Sequence, residues 1–426
     1  FTLLPRGFQD NPTGPWVAYP TGPNATFQFE VGNVFKTNAN IPHLAINGCE
    51  LKVSNTVDIY SGDTANVTTF ERGGNEPDIG DLYYVDYIYQ KQDFSTGFYR
   101  SLSAIERAFG PATPDNPLSL AAYLAIINGA VIVGLKQVPR EQGSNYASLD
   151  SYRDAIKELE GVLPGNVKPD IVTPLRGDST QLYQLLKKSN EIQSSIRYKS
   201  ERTSIVGMAA GSLPVAAGNL AQNLSHSRMR LVYPDLAIVT LQDSNGVSRD
   251  HLVDGPFIAA ALAGSIVSPN MDVATPWTGR RLVGFTQLGR RLDAVEQNQL
   301  AVKGVTVLEE QLPFLRVRHG MTTDLTSTLT KLPTIIQIAD EVQQQARNVL
   351  GRFVGVKYLP SILTQIEGRV SMMLKAMVMA RIITAYTGVK ANIPPDNPTM
   401  AEIEAFYSPV FPLLYLLVTF HLRSST

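Results

Sequence analysis

Asn116-Pro-Leu-Ser-Leu-Ala-Ala-Tyr-Leu-Ala-Ile-Ile-Asn-Gly-Ala-Val-Ile-Val-Gly-Leu135 joins the two kinds of segment from which most of this chain is built. Leu120, Leu124 and Ile127 recur at helical spacing, Asn128-Gly129 stops that helix, and Ala130 to Leu135 reads as a buried strand. The alternation continues on both sides. Upstream, Ser103-Ala-Ile-Glu106 fits a capping box and Gly110-Pro111 closes the helix it opens. Downstream, a helix carrying Tyr152, Ile156 and Leu159 ends at Gly161, ahead of the strand Asp170-Ile-Val-Thr173. A helix with Leu182, Leu185 and Leu186 then precedes Thr203-Ser-Ile-Val-Gly-Met208. Further helices are expected over Val253 to Val267 and Asp293 to Val302, the latter closed by Gly304 and followed by a strand from Val305 to Leu308. Arg316 and Arg318 alternate with Leu315 and Val317, which gives the next strand one polar face. Helices alternating with short apolar strands predict an α/β core with a mixed, largely parallel sheet across residues 96–331.

The flanks have other textures. Residues 1–95 are dense in turn signals (Pro5, Pro12, Pro15, Pro20, Pro23, Asn47-Gly48, Gly73-Gly74) between alternating stretches such as Thr26 to Val31, Leu51 to Ser54 and Leu82 to Tyr89. They predict a small all-β outer or accessory domain. From 332 onward, Ile335, Ile338, Val342, Val349 and Phe353 follow helical spacing, with Asp340, Glu341, Arg347 and Arg352 on other faces. A second helix is expected from Ile362 to Tyr386, then a loop through Ile393-Pro394-Pro395. The last twenty residues, from Tyr407 through Pro409, Pro412 and an apolar run to Leu422, read as a terminal strand. An uncovered strand edge invites pairing with another chain. The fold class is therefore α+β or α/β and multidomain: residues 1–95, 96–331 and 332–426.

Composition excludes several classes. Over 426 residues, 44% are apolar, 18% charged, and the formal net charge is −1, which offers no overall field for nucleic acid or an anionic membrane. The single cysteine, Cys49, rules out an intrachain disulfide framework and reads as a buried structural thiol. The apolar stretch Val370 to Val389 carries Lys375 and Arg381, so a soluble chain without membrane insertion is expected. The glycine-rich run Gly207 to Gly218 follows a strand but lacks GxGxxG spacing and a lysine, and Pro214 interrupts it, so tight turn packing accounts for it better than phosphate binding. His43, His226, His251, His319 and His421 show no ligand spacing, and His251 beside Asp250 and Asp254 reads as a helix start. Arg280-Arg281 and Arg290-Arg291 read as salt-bridge or subunit-contact residues. No catalytic, cofactor-binding or metal-binding motif emerges.

Four stretches in order resemble the contractile tail sheath family of bacteriophages and related injection machines. They are Ala108-Phe-Gly-Pro111 with Asn116 to Val133; Val253-Asp-Gly-Pro-Phe-Ile-Ala-Ala-Ala-Leu-Ala-Gly-Ser265 with Ala274-Thr-Pro-Trp-Thr-Gly279 and Leu282-Val-Gly284; Asn298 to Leu308 with Arg316-Val-Arg-His-Gly-Met-Thr-Thr-Asp324; and Tyr407 to Phe420. The family's N-terminal Pro-Gly-Val-Tyr-type motif is absent. The resemblance implies a structural, non-enzymatic subunit without cofactor. It implies hexameric rings stacked helically around a tail tube, meeting baseplate and tail terminator proteins, in the virion tail after assembly in the host cytoplasm. It also implies that Pro412, Leu414, Leu416, Val418 and Phe420 belong to a strand exchanged between subunits, with Ile393, Pro394 and Pro395 as its linker. Arg347 and Arg352 lie on the helix that resembles the family's tube-facing helix, though a solvated face accounts for them equally. A tailocin or other injection-machine sheath is the near alternative. An α/β enzyme with a β accessory domain is the distant one.

Overall fold

The computed structural model describes residues 96–414, apart from 115, 140–146, 162, 164–166, 196, 243–247, 312–313, 358 and 398, and six short strands between residues 36 and 88. The chain divides into two units. In the first, residues 1–93 with 109–111 and 242–248, the described strands β1 (Lys36–Asn38), β2 (Ile41–His43), β3 (Glu50–Val53), β4 (Ile59–Ser61), β5 (Thr68–Phe70) and β6 (Val85–Ile88) pair antiparallel as β1–β2, β3–β6 and β4–β5.

The second unit is built around a six-stranded mixed sheet. In chain order its strands are β9 (Ile171–Val172), β10 (Thr203–Gly207), β11 (Met229–Tyr233), β14 (Arg281–Leu282), β16 (Val305–Gln311) and β17 (Phe314–His319). The spatial order is β14-β17-β16-β11-β10-β9. β9, β10, β11 and β16 run parallel, while β17 and β14 complete the edge antiparallel. Parallel strands need crossovers that cover both faces. Here α4 (Thr180–Gln193), α5 (Pro214–Leu224) and α7 (Ala294–Val302) pack on one face around Leu182, Leu186, Leu231 and Val305. α2 (Pro117–Ile127) and α6 (Gly255–Ile266) pack on the other, with a three-stranded sheet of β12 (Leu236–Gln242), β13 (Ser248–Asp254) and β15 (Phe285–Leu288). Leu120, Leu124, Ile258 and Leu262 are completely buried in that layer. Each contributes about 1.5–3 kcal/mol by leaving water. α2 and α6 approach closely because Gly264 has no Cβ, and one built there would collide with the Ala125 carbonyl.

Several boundaries differ from expectation for local reasons. α1 (Leu102–Phe109) takes its N-terminal bond from Ser101 Oγ, which accepts from the Ala104 amide, so Ser103 lies inside the helix. Ala130 to Ile132 is not strand: β8 starts at Val133 and ends at Lys136, pairing among the described residues with β7 (Thr96–Tyr99) alone, and Val131 and Ile132 are exposed. Val253 and Asp254 end β13, and α6 opens at Gly255 with Pro256 in its first turn, where a missing N–H costs nothing. α3 (Leu149–Glu160) is capped by Ser148 and ends before Gly161, as the spacing indicated. α7 likewise opens on a complete capping box between Asp293 and Glu296. In β17, Leu315 and Val317 are buried, while Arg316 and Arg318 both reach Glu309 across the ladder.

After the one-turn α8 (Thr328–Lys331) come α9 (Pro333–Leu350) and α10 (Pro360–Met379), which lie against each other. α10 does not continue to Tyr386. Arg381 adopts a left-handed conformation at φ 60°, and the Ile382 amide reaches back to the Met377 carbonyl at 3.0 Å, a Schellman-type stop. The chain then turns into β18 (Ile383–Asn392), which pairs antiparallel with β19 (Glu402–Pro409).

Candidate assembly site

The β18–β19 hairpin stands as a two-stranded sheet: among the described residues neither outer edge has a partner strand. Its inner face is held by the helices. Ile383 and Ala391 are buried, Tyr407 packs on the α9–α10 cluster, and Glu367 of α10 accepts from the Ala391 amide at 2.9 Å. Burial raises the Tyr407 phenol above its ordinary range, and Asp340 adds to the effect. The other face is open, with Phe406 60% exposed. Register shifts in β18 between Ile383 and Ala385 and between Thr387 and Lys390 mark local irregularity, and Gly388 at φ 66° leaves room for the Phe406 ring. An isolated two-stranded hairpin is marginal in water. This one has a helix layer burying one face, while neither edge carries a partner strand among the described residues.

Beside the hairpin, α9 and α10 frame an open groove of about 550 Å³ lined by Glu341, Gln345, Arg352, Arg369, Met372 and Met377 among others. Met372 and Met379 are exposed on α10, and Val354, Val356 and Leu359 are exposed on the α9–α10 connection. Acidic, basic and thioether groups mix there without convergence on a reacting centre. Among the described residues no group of His, Cys, Asp and Glu is arranged to hold a metal ion, and no helix is long and apolar enough to cross a membrane.

No family model matches the chain. The tail sheath protein of Mycobacterium phage Bxz1 is 25% identical over 365 residues, an alignment covering 83% of this chain and 60% of that protein. Among solved structures, the 6-fold symmetrised baseplate of the anti-feeding prophage matches with a TM-score of 0.59 at 15% identity, covering 79% of this chain and 90% of the other. The contracted helical sheath of the same prophage matches at 0.58 and 14% identity, covering 78% and 90%. The contracted PVC sheath complex of an extracellular contractile injection system matches at 0.57 and 11% identity, covering 78% and 87%. The chain has the contractile tail sheath fold. It spans less than two thirds of the curated relative it matches.

The residues singled out from the sequence fall on this sheath fold unevenly. Pro412 and Leu414 follow β19 outside any described strand, and Leu414 packs on the α9–α10 cluster. Leu416, Val418 and Phe420 lie outside the described residues. Ile393, Pro394 and Pro395 sit in the loop that joins β18 to β19, so they connect two strands paired with each other. Arg347 turns inward and forms a two-pronged ion pair with Glu201, at 2.7 Å for one prong, so its charge is met within the chain. Arg352 lies in the short 3-10 turn Gly351–Phe353, exposed and 5.2 Å over the Phe353 ring. Arg290 and Arg291 pair with Asp235 and Glu310, Arg280 is buried and donates to the Ser265 carbonyl, and Arg281 stacks 4.8 Å over Phe314. His251 lies within β13. Reasoning from sequence missed β18 and caught only the last three residues of β19, Tyr407 to Pro409, as the start of its terminal strand. The alternation of Ile403, Ala405 and Tyr407, and the β-branched Ile383, Thr384, Thr387 and Val389, were the available signals.

Proposed function

We propose that the chain is a structural, non-enzymatic subunit of a contractile tail sheath. Copies assemble as hexameric rings in a helical stack around a tail tube, between a baseplate and a tail terminator, and contraction drives the tube through a host envelope. Assembly takes place in the host cytoplasm and the product resides in the virion tail. The observation that carries this reading is the β18–β19 hairpin, anchored by a helix layer and carrying no partner strand on either edge among the described residues. Strand addition at such an edge uses main-chain hydrogen bonds and propagates when the contact is heterologous. The similarity to the Bxz1 tail sheath protein supports the same reading.

In this reading the apolar segment containing Pro412, Leu414, Leu416, Val418 and Phe420 supplies a strand to the hairpin of a neighbouring copy. Arg352, which has no ion pair among the described residues, faces the tube, while Arg347 is held by Glu201. Residues 1–95 form an outer or accessory domain. The sheath of a related injection machine is the second reading, favoured by the likeness to the anti-feeding prophage and PVC sheaths. Electron microscopy of the purified full chain tests the proposal: rings or helically striated tubes are expected, and monomeric particles at high concentration would count against it. A chain lacking residues 410–426 is expected to keep its secondary structure and lose assembly.

A further inference from the structure

The segment 333–414 has an apolar core of its own. The cluster uniting α9, α10, β18 and β19 draws every member from residues 332–414 except Ala274, and the two clusters that flank the six-stranded sheet contain no residue beyond Val317. Apart from the Ala274 contact, polar pairs join the segment to the core. Arg228, at the entrance to β11, grips Asp340 of α9 with both terminal nitrogens at 2.8 and 2.6 Å. Arg347 of α9 grips Glu201, ahead of β10, in the opposite sense. Trp277 Nε1 donates to Gln337 Oε1 at 2.8 Å. Gln337, Asp340 and Arg347 are separated by three and seven residues, so they line one stripe of α9.

Within electrostatic reach of Asp340 on that stripe lies a charge that is not balanced. Arg230, within β11 and two residues after Arg228, is completely buried. Among the described residues none of its three guanidinium nitrogens has a hydrogen-bond partner, and the Trp277 ring lies 5.5 Å away. Burial, with Arg228 nearby, lowers its pKa to about 9, while Asp340 pulls the other way. A buried cation without an acceptor destabilises the closed arrangement, and it regains hydration when the cover lifts. Ion pairs at the seam exchange their partners for water on opening, which an apolar seam cannot do. The pivot is also visible: the Lys331 carbonyl accepts from the Thr322 amide, which ties α8 to the core, and Leu332 is extended between α8 and Pro333 of α9.

We propose that residues 333–414 undock from the α/β core as one body about Leu332, with the Arg228–Asp340 and Arg347–Glu201 pairs as clasps and Arg230 as a built-in bias toward opening. The subunit then carries an internal joint that lets its hairpin-bearing body reorient while both apolar cores stay intact. This device lies within one chain and stands whether or not copies assemble.

Native-state hydrogen exchange on the full chain, below the concentration at which it associates, tests it. Amides of α9, α10, β18 and β19 are expected to exchange together and faster than those of β10, β11 and β16. Arg230→Met is expected to slow that shared exchange about tenfold and Asp340→Asn to speed it about tenfold, with the exchange of β10, β11 and β16 unchanged. Should Arg230→Met not fold, Asp340→Asn decides alone. Exchange of 333–414 only in step with the central strands in both the native chain and the variants, or faster exchange in Arg230→Met, would overturn the proposal.

Discussion

Buried charge is met in different ways along this chain, and each has a measurable consequence. Arg202, 2% exposed, is shared among the Leu159 carbonyl, Ser189 and Glu160, so its charge is dispersed over acceptors. Asp254 at the start of α6 makes no side-chain cap bond, and burial pushes its pKa up to about 6. The folded state therefore holds a proton that the unfolded state releases near pH 4, and this group's contribution to stability falls as pH rises from about 4 through 6. Asp254→Asn is expected to raise the melting temperature above pH 6 and to converge with the native chain near pH 4, as followed by circular dichroism across that range. Gly264 illustrates a steric limit. Alanine there gains about 1 kcal/mol of helix propensity but presses into the Ala125 backbone, which cannot swing aside. Gly264→Ala is expected to lose roughly 1–2 kcal/mol of stability by denaturant titration, and a gain would contradict the close α2–α6 contact.

At the level of elements, the end of α10 decides how the C-terminal region is understood. Arg381 accepts a left-handed conformation that costs an L-residue about 1–2 kcal/mol. Arg381→Gly is expected to raise stability by about 1 kcal/mol and Arg381→Val to lower it, both read from thermal melts. That single conformation also explains why the region was only partly legible in the sequence. Val370, Met373, Leu374 and Met377 announce a helix clearly and are buried as their spacing implies. Nothing in an arginine announces the stop, so apolar periodicity carried the expected helix on to Tyr386. The α/β core was easier to read, because Gly110, Gly161 and Gly304 mark the ends of α1, α3 and α7 and the parallel strands are short, largely apolar runs. The ion pairs resisted reading for another reason. Arg228 and Asp340 lie 112 residues apart, and no local pattern links Arg347 to Glu201. Arginines that looked like solvated or partner-facing groups are in part internal clasps.

For the whole molecule, the described residues supply a mixed-sheet core, a helix pair with its own apolar cluster, and a hairpin packed on that pair with both edges lacking partner strands among the described residues. Glu309, Glu310 and Asp235 are each taken by an arginine within the chain. Under the proposed function the subunit works through contacts with copies of itself. Deleting residues 410–426 is expected to leave circular dichroism close to that of the full chain while sedimentation shifts from large assemblies to single subunits. A helical cryo-EM reconstruction of the assembled full chain tests the central claim most directly. An edge of the β18–β19 hairpin in one subunit is expected to carry a strand contributed by another. Assemblies in which both hairpin edges face solvent would contradict it.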